Sequence, residues 1–100
     1  MAMTPESRIK KLIKLILTER GVVYCMPATY GLGCSGVSDF VACHRGVFIS
    51  IEAKAGKGTT TVLQDRWLER VRSAGGKAIV VNGDNIEELK DMLIEIEVSA

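Results

Sequence analysis

Two acids and a lysine, Asp39, Glu52 and Lys54, flank the dipeptide Arg45-Gly46, which lies between two runs of strand-forming residues. If Arg45-Gly46 is a two-residue hairpin turn, His44 faces Val47, and the register so imposed sets Asp39 directly opposite Glu52. Opposed residues share a face with Cβ atoms about 5 Å apart, close enough for two carboxylates to hold one divalent cation at about 2.1 Å. Lys54 lies two residues on, on that same face. Such a trio beside Phe40, Val41, Ile49 and Ile51 is costly to bury, and a metal would resolve the conflict. A salt-bridged cluster at a strand end is the ordinary alternative.

Two more side chains bear on the choice. Glu6 falls within the apolar stripe of a helix on which Ile9, Leu12, Ile13, Ile16 and Leu17 recur, so that helix aims an acid toward the core side, although an acid in a first turn also suits the helix dipole. Gln64 opens a later helix, where it would point toward the same acids. Thr61-x-x-Gln64 is equally a capping box, and one side chain is hardly expected to serve both roles. Lys57, Arg66, Arg70 and Arg72 gather near the mouth of the hairpin, diluted by Asp65 and Glu69; phosphate contact and a solvated helix face are the two readings.

The elements that must position these groups are legible in order. Thr4 caps and Pro5 starts a first helix that ends near Gly21. Val22 to Met26 reads as a strand closed by Pro27, followed by a loop through Gly31, Gly33 and Gly36. Val37 to His44 and Val47 to Lys54 form the antiparallel hairpin, ended by Gly56-Lys57-Gly58. Thr61 to Ala74 carries Leu63, Trp67, Leu68, Val71 and Ala74 on one helical face and stops at Gly75-Gly76. Lys77 to Val81 is a buried-type strand, and Asp84 or Asn85 caps a last helix bearing Ile86, Leu89, Leu93 and Ile96. The order αβββαβα predicts an α/β fold with a mixed sheet flanked by helices, residues 1–100 forming one domain.

Composition narrows the function classes. Thirteen Lys plus Arg against 12 Asp plus Glu give a net charge of +1, so any nucleic-acid binding must come from local clustering of cations. Three widely spaced cysteines fit a reducing, cytoplasmic setting better than a secreted one. The apolar stretch Leu12 to Leu17 is far short of a membrane span and no signal peptide is read, so no membrane partner is expected.

Gly36-x-x-Asp39, Glu52-x-Lys54, Gln64, the single Trp and Gly75-Gly76 together resemble the PD-(D/E)XK nuclease superfamily, and more narrowly a minimal, stand-alone VRR-NUC (virus-type replication-repair nuclease) domain. The resemblance spans about Glu6 to Leu93. Ser38 stands where the family's Pro-Asp pair has its proline. The resemblance implies a restriction-endonuclease-like αβββαβα core and DNA as partner. It implies that Asp39, Glu52 and the Ala53 carbonyl ligate Mg²⁺ or Mn²⁺, that Glu6 acts through a bound water, and that Lys54 positions or deprotonates the attacking water. The chemistry implied is phosphodiester hydrolysis leaving 5′-phosphate and 3′-hydroxyl ends. Also implied are a homodimer acting on branched DNA such as four-way junctions and a phage or prophage source, which would place the protein in the host cytoplasm. A resolvase or restriction-type relative and a non-catalytic nucleic-acid-binding domain are the alternatives.

Other motifs carry less. Gly31-Leu32-Gly33-Cys34-Ser35-Gly36 fits G-x-G-x-x-G but precedes a strand rather than opening a helix, so no nucleotide cofactor is expected. The glycines are read instead as a flexible loop near the metal site. Gly56-Lys57-Gly58-Thr59 lacks the first glycine of a phosphate loop. Cys25, Cys34, Cys43 and His44 contain no CxxC-type pair, and strand alternation separates Cys43 from His44, which argues against zinc. Tyr24, Tyr30 and Trp67 are too scattered for a base-stacking platform, and Trp67 is read as core. On the last helix, Met92, Ile94 and Val98 add apolar surface outside the main stripe, for which homodimerisation is the simplest outlet.

Overall fold

A computed structural model describes residues 3–28 and 33–99. The elements follow as α1 (Pro5–Glu19), β1 (Val23–Cys25), β2 (Phe40–His44), β3 (Val47–Ala53), α2 (Val62–Ser73), β4 (Lys77–Val81) and α3 (Ile86–Ser99), in the order read from the sequence. Gly31 of the glycine motif and Tyr30 lie outside the described residues.

Local chemistry explains the boundaries. The Thr4 hydroxyl accepts from the Ser7 N–H, with Pro5 supplying a preset φ at the start of α1. Arg45 and Gly46 both have positive φ, 52° and 82°, the signature of a type I′ turn whose twist matches that of the strands it joins. That turn fixes the pairing from His44 with Val47 to Phe40 with Ile51, the register expected.

The four strands form one sheet in the order β1-β2-β3-β4, antiparallel except for β3 and β4, which α2 connects in parallel. Alternation divides its faces. Phe40, Ala42, Ile49, Ile51, Ala53, Ile79 and Val81 meet Ile13, Ile16 and Leu17 of α1 and Leu89, Leu93 and Ile96 of α3 in the main core. The other face carries Ser50 and Glu52, both buried, with α2 covering β3 and β4 through Leu68 and Val71.

Some expected packing differs. Leu12 of α1 and Leu63 of α2 lie on the stripes read as apolar faces, yet both are exposed, and Trp67 is half-buried rather than core. Each helix contacts the sheet along a narrower line than its apolar pattern, because a helix of this length resting on a flat layer buries about one residue per turn at the contact line. Strand β2 begins at Phe40 rather than Val37, for a reason that belongs to the site.

Candidate active site

Asp39 sits one residue before β2, where its side chain replaces the next rung of the ladder: Oδ2 accepts from the Ala53 N–H at 2.8 Å. A carboxylate that takes a backbone donor of the facing strand ends the main-chain pairing and is itself held in place. The chain before it is also fixed. Gly36 has φ +74°, and a Cβ built there would lie 2.3 Å from the Leu63 carbonyl oxygen, so glycine alone lets this segment press against the first turn of α2. The expected flexible loop is therefore a packed junction at Gly36. Ser38 and Ser50, both buried, share a hydrogen bond of 2.7 Å, and the Trp67 indole N–H donates to Ser50 at 2.8 Å. Trp67 thus ties α2 to the strand and to the residue preceding Asp39.

Glu52 follows from β3 onto the same face, with only 3% of its surface exposed. Its Oε1 accepts from Gln64 Nε2 at 3.1 Å and faces Lys54 Nζ at 3.8 Å. Its Oε2 is buried without a hydrogen-bond partner among the described residues. Burial first, and then the charge of Asp39, push the Glu52 carboxyl up to about 7, against the opposing pull of Lys54. Two carboxyl groups pressed together, one with an orphaned oxygen, are a costly arrangement for a metal-free protein and a suitable one for a hard cation.

Gln64 does both things that the sequence set against each other. Its Oε1 accepts from the Thr61 N–H at 2.9 Å while the Thr61 hydroxyl accepts from the Gln64 N–H, a complete capping box, and its remaining Nε2 reaches Glu52. An amide has a donor and an acceptor end, so the roles do not compete.

Glu6 is placed at the rim of this pair rather than in it or toward the core. Half-exposed, it pairs at 3.7 Å with Lys10 one turn along α1, and Lys10 Nζ in turn lies 3.5 Å from Asp39 Oδ1. The i,i+4 spacing of Glu6 and Lys10 signals the first of these pairs, while nothing in the sequence signals the second, with Asp39. Among the described residues no three His, Cys, Asp or Glu side chains gather tightly enough to hold a metal by themselves. A magnesium-type ion does not require them, since it is commonly held by one or two carboxylates and keeps several waters. The Asp39 and Glu52 carboxyl groups, one with a buried and unpartnered oxygen, fit an ion of that kind.

Lys57, Arg66 and Arg70 are exposed, Arg66 and Arg70 on α2, with the Arg70 guanidinium 5.8 Å from the Trp67 ring centroid. Cys25, Cys34 and Cys43 are free and exposed, while His44 is buried against Glu97 on α3. No zinc set forms among them.

No protein-family model matches the chain, and no curated protein does. A solved structure described as "VRR_NUC domain" superposes on 89% of this chain and 97% of its own, with a TM-score of 0.74 and 25% sequence identity. The chain is a VRR-NUC-like domain. That VRR-NUC likeness rests on the mixed sheet and its flanking helices. No helix among the described residues is long and apolar enough to cross a membrane.

Proposed function

We propose that this VRR-NUC-like domain is a nuclease that hydrolyses DNA phosphodiester bonds with Mg²⁺ or Mn²⁺. The observation that carries the reading is the buried, partnerless Oε2 of Glu52 beside Asp39, in a fold shared with a VRR_NUC domain. Asp39, Glu52 and the Ala53 carbonyl would hold the ion, which when bound polarises the phosphate and lowers the pKa of water.

The chain's own groups supply the rest. The Ala53 N–H fixes the orientation of Asp39, and Gln64 fixes that of Glu52. Lys54, on the strand that carries Glu52, orients the attacking water and offsets the charge that builds on the phosphate. Glu6, at the rim, acts through water. Lys57, Arg66 and Arg70 contact the backbone of the nucleic acid.

Branched DNA such as a four-way junction is the proposed substrate, cut by a homodimer. A net charge of +1 gives one chain little electrostatic hold on DNA, and two chains double the basic surface. Val98 of α3 is 79% exposed, and Ile94 is exposed beside it, apolar surface suited to a second copy.

A cleavage panel of linear, flap and four-way-junction DNA, run with Mg²⁺ or Mn²⁺ and with EDTA, tests the reading. Metal-dependent cutting that favours the junction is expected. Cutting that persists in excess EDTA would overturn it, and equal rates on all substrates would remove the branch preference.

A further inference from the structure

Asp39 and Glu52, neighbours close enough for the charge of one to act on the other, together offer four carboxyl oxygens. Hydrogen bonds engage two of them: the Ala53 N–H holds Asp39 Oδ2, and Gln64 Nε2 holds Glu52 Oε1. Glu52 Oε2 has no hydrogen-bond partner among the described residues. Among the described residues Asp39 Oδ1 has only the Lys10 ammonium, 3.5 Å away and contributed by a different element, α1.

That distance exceeds the about 2.7–2.9 Å of a charge-assisted hydrogen bond, so Lys10 is attracted by charge and held by no directed bond. Glu6 pulls on the same ammonium from one helical turn away, at 3.7 Å. Lys10 is also the looser of the two lysines at the site, its side chain 29% exposed against 16% for Lys54. A divalent ion brought to the acids carries twice the charge of an ammonium and repels it at short range, and a lysine on a flexible four-carbon stem is the group able to yield.

We propose that Lys10 is a tethered counter-ion of the acid pair, one that neutralises Asp39 in the metal-free protein, is displaced by the divalent cation, and is thereby released toward the incoming phosphate. The inference rests on the assignment of Asp39 and Glu52 as cation ligands and adds to it a lysine that competes with the cation. It gives the site an order of events: the cation enters first, and its entry supplies a positive group for the DNA backbone.

Calorimetric titration of the full chain with Mn²⁺ tests this without reference to activity. Removing the competitor in Lys10→Met should tighten Mn²⁺ binding about fivefold, the equivalent of one partly exposed ion pair, while Lys10→Arg should keep the wild-type affinity. At saturating Mn²⁺, the KM of Lys10→Met for DNA should rise with kcat little changed, and its logarithmic salt dependence should flatten by about one unit. Unchanged or weaker Mn²⁺ binding by Lys10→Met would overturn the proposal. A wild-type chain that binds no Mn²⁺ would overturn the ligand assignment as well, which distinguishes the two failures.

Discussion

Gln64 donates through Nε2 to Glu52 Oε1 at 3.1 Å, while its own Oε1 accepts from the Thr61 N–H at 2.9 Å. The residue that starts α2 is thus the residue that aims the buried acid, so helix capping and site geometry are set by one side chain. Replacing the two ends of the capping box separates these roles. Thr61→Ala should cost about 1 kcal/mol of stability with DNA cleavage retained. Gln64→Ala should cost at least as much and also reduce cleavage about tenfold or more, since Glu52 loses its donor. Urea unfolding and cleavage assays on the same preparations check both, and equal cleavage by the two variants would count against a positioning role for Gln64.

Gly36 supports the same junction from the other side. A Cβ there would meet the Leu63 backbone at 2.3 Å, whereas Gly33, with a similar positive φ, has nothing within 4 Å. Gly33→Ala should therefore cost about 1 kcal/mol, the conformational penalty alone. Gly36→Ala should cost more than about 2 kcal/mol, because α2 must move as well. Urea unfolding of the two variants side by side reads the difference.

Much of this was legible in the sequence, and the exceptions have physical reasons. Periodicity and turn chemistry marked every element, and Arg45-Gly46 set a register that the type I′ turn reproduces. What strand alternation could not express was the end of the ladder: Asp39 was expected as a paired strand residue and instead takes a main-chain donor with its side chain. Trp67 was read as core because hydropathy ignores the indole N–H, which here finds Ser50. Glu6 lies inside the helical stripe, yet in the first turn of α1 it pairs with Lys10 and stays half-exposed. Lys10 was missed because its partner Asp39 is distant in sequence, a contact that only the folded chain creates.

Away from the site, Glu97 of α3 accepts from Arg20 at the end of α1, at 2.6 and 2.9 Å, and from His44 Nε2 at 2.8 Å. The hydrogen bond from Arg20 leads, and that from His44 follows, in lowering its carboxyl from an ordinary 4.5 to about 2. A folded-state pKa below the unfolded one gives stability that is present above about 4.5 and is lost as pH falls toward about 2. Acid unfolding followed by circular dichroism should be steeper across that window for wild type than for Glu97→Gln. Parallel curves would contradict this.

Glu52 has the opposite sign. Its folded-state value of about 7 lies above the ordinary 4.5, so the metal-free chain loses stability as pH rises through that interval. Glu52→Gln removes the buried charge, and above about pH 7 it should unfold at higher temperature than wild type in EDTA, by the equivalent of about 1 kcal/mol. Addition of Mn²⁺ should raise the melting temperature of wild type and leave the variant unmoved. Differential scanning calorimetry in the two buffers decides it.

The rate of Mn²⁺-dependent DNA cleavage by Glu52→Gln, measured on protein shown to be folded by its melting curve, tests the nuclease assignment most directly. The variant keeps a side chain of the same size and loses the anionic oxygen that no group among the described residues satisfies. Its cleavage rate should fall by about a hundredfold or more while the fold is retained or strengthened. Cleavage at the wild-type rate would contradict the assignment of Glu52, and with it the reading of this domain as a metal-dependent nuclease centred on Asp39 and Glu52.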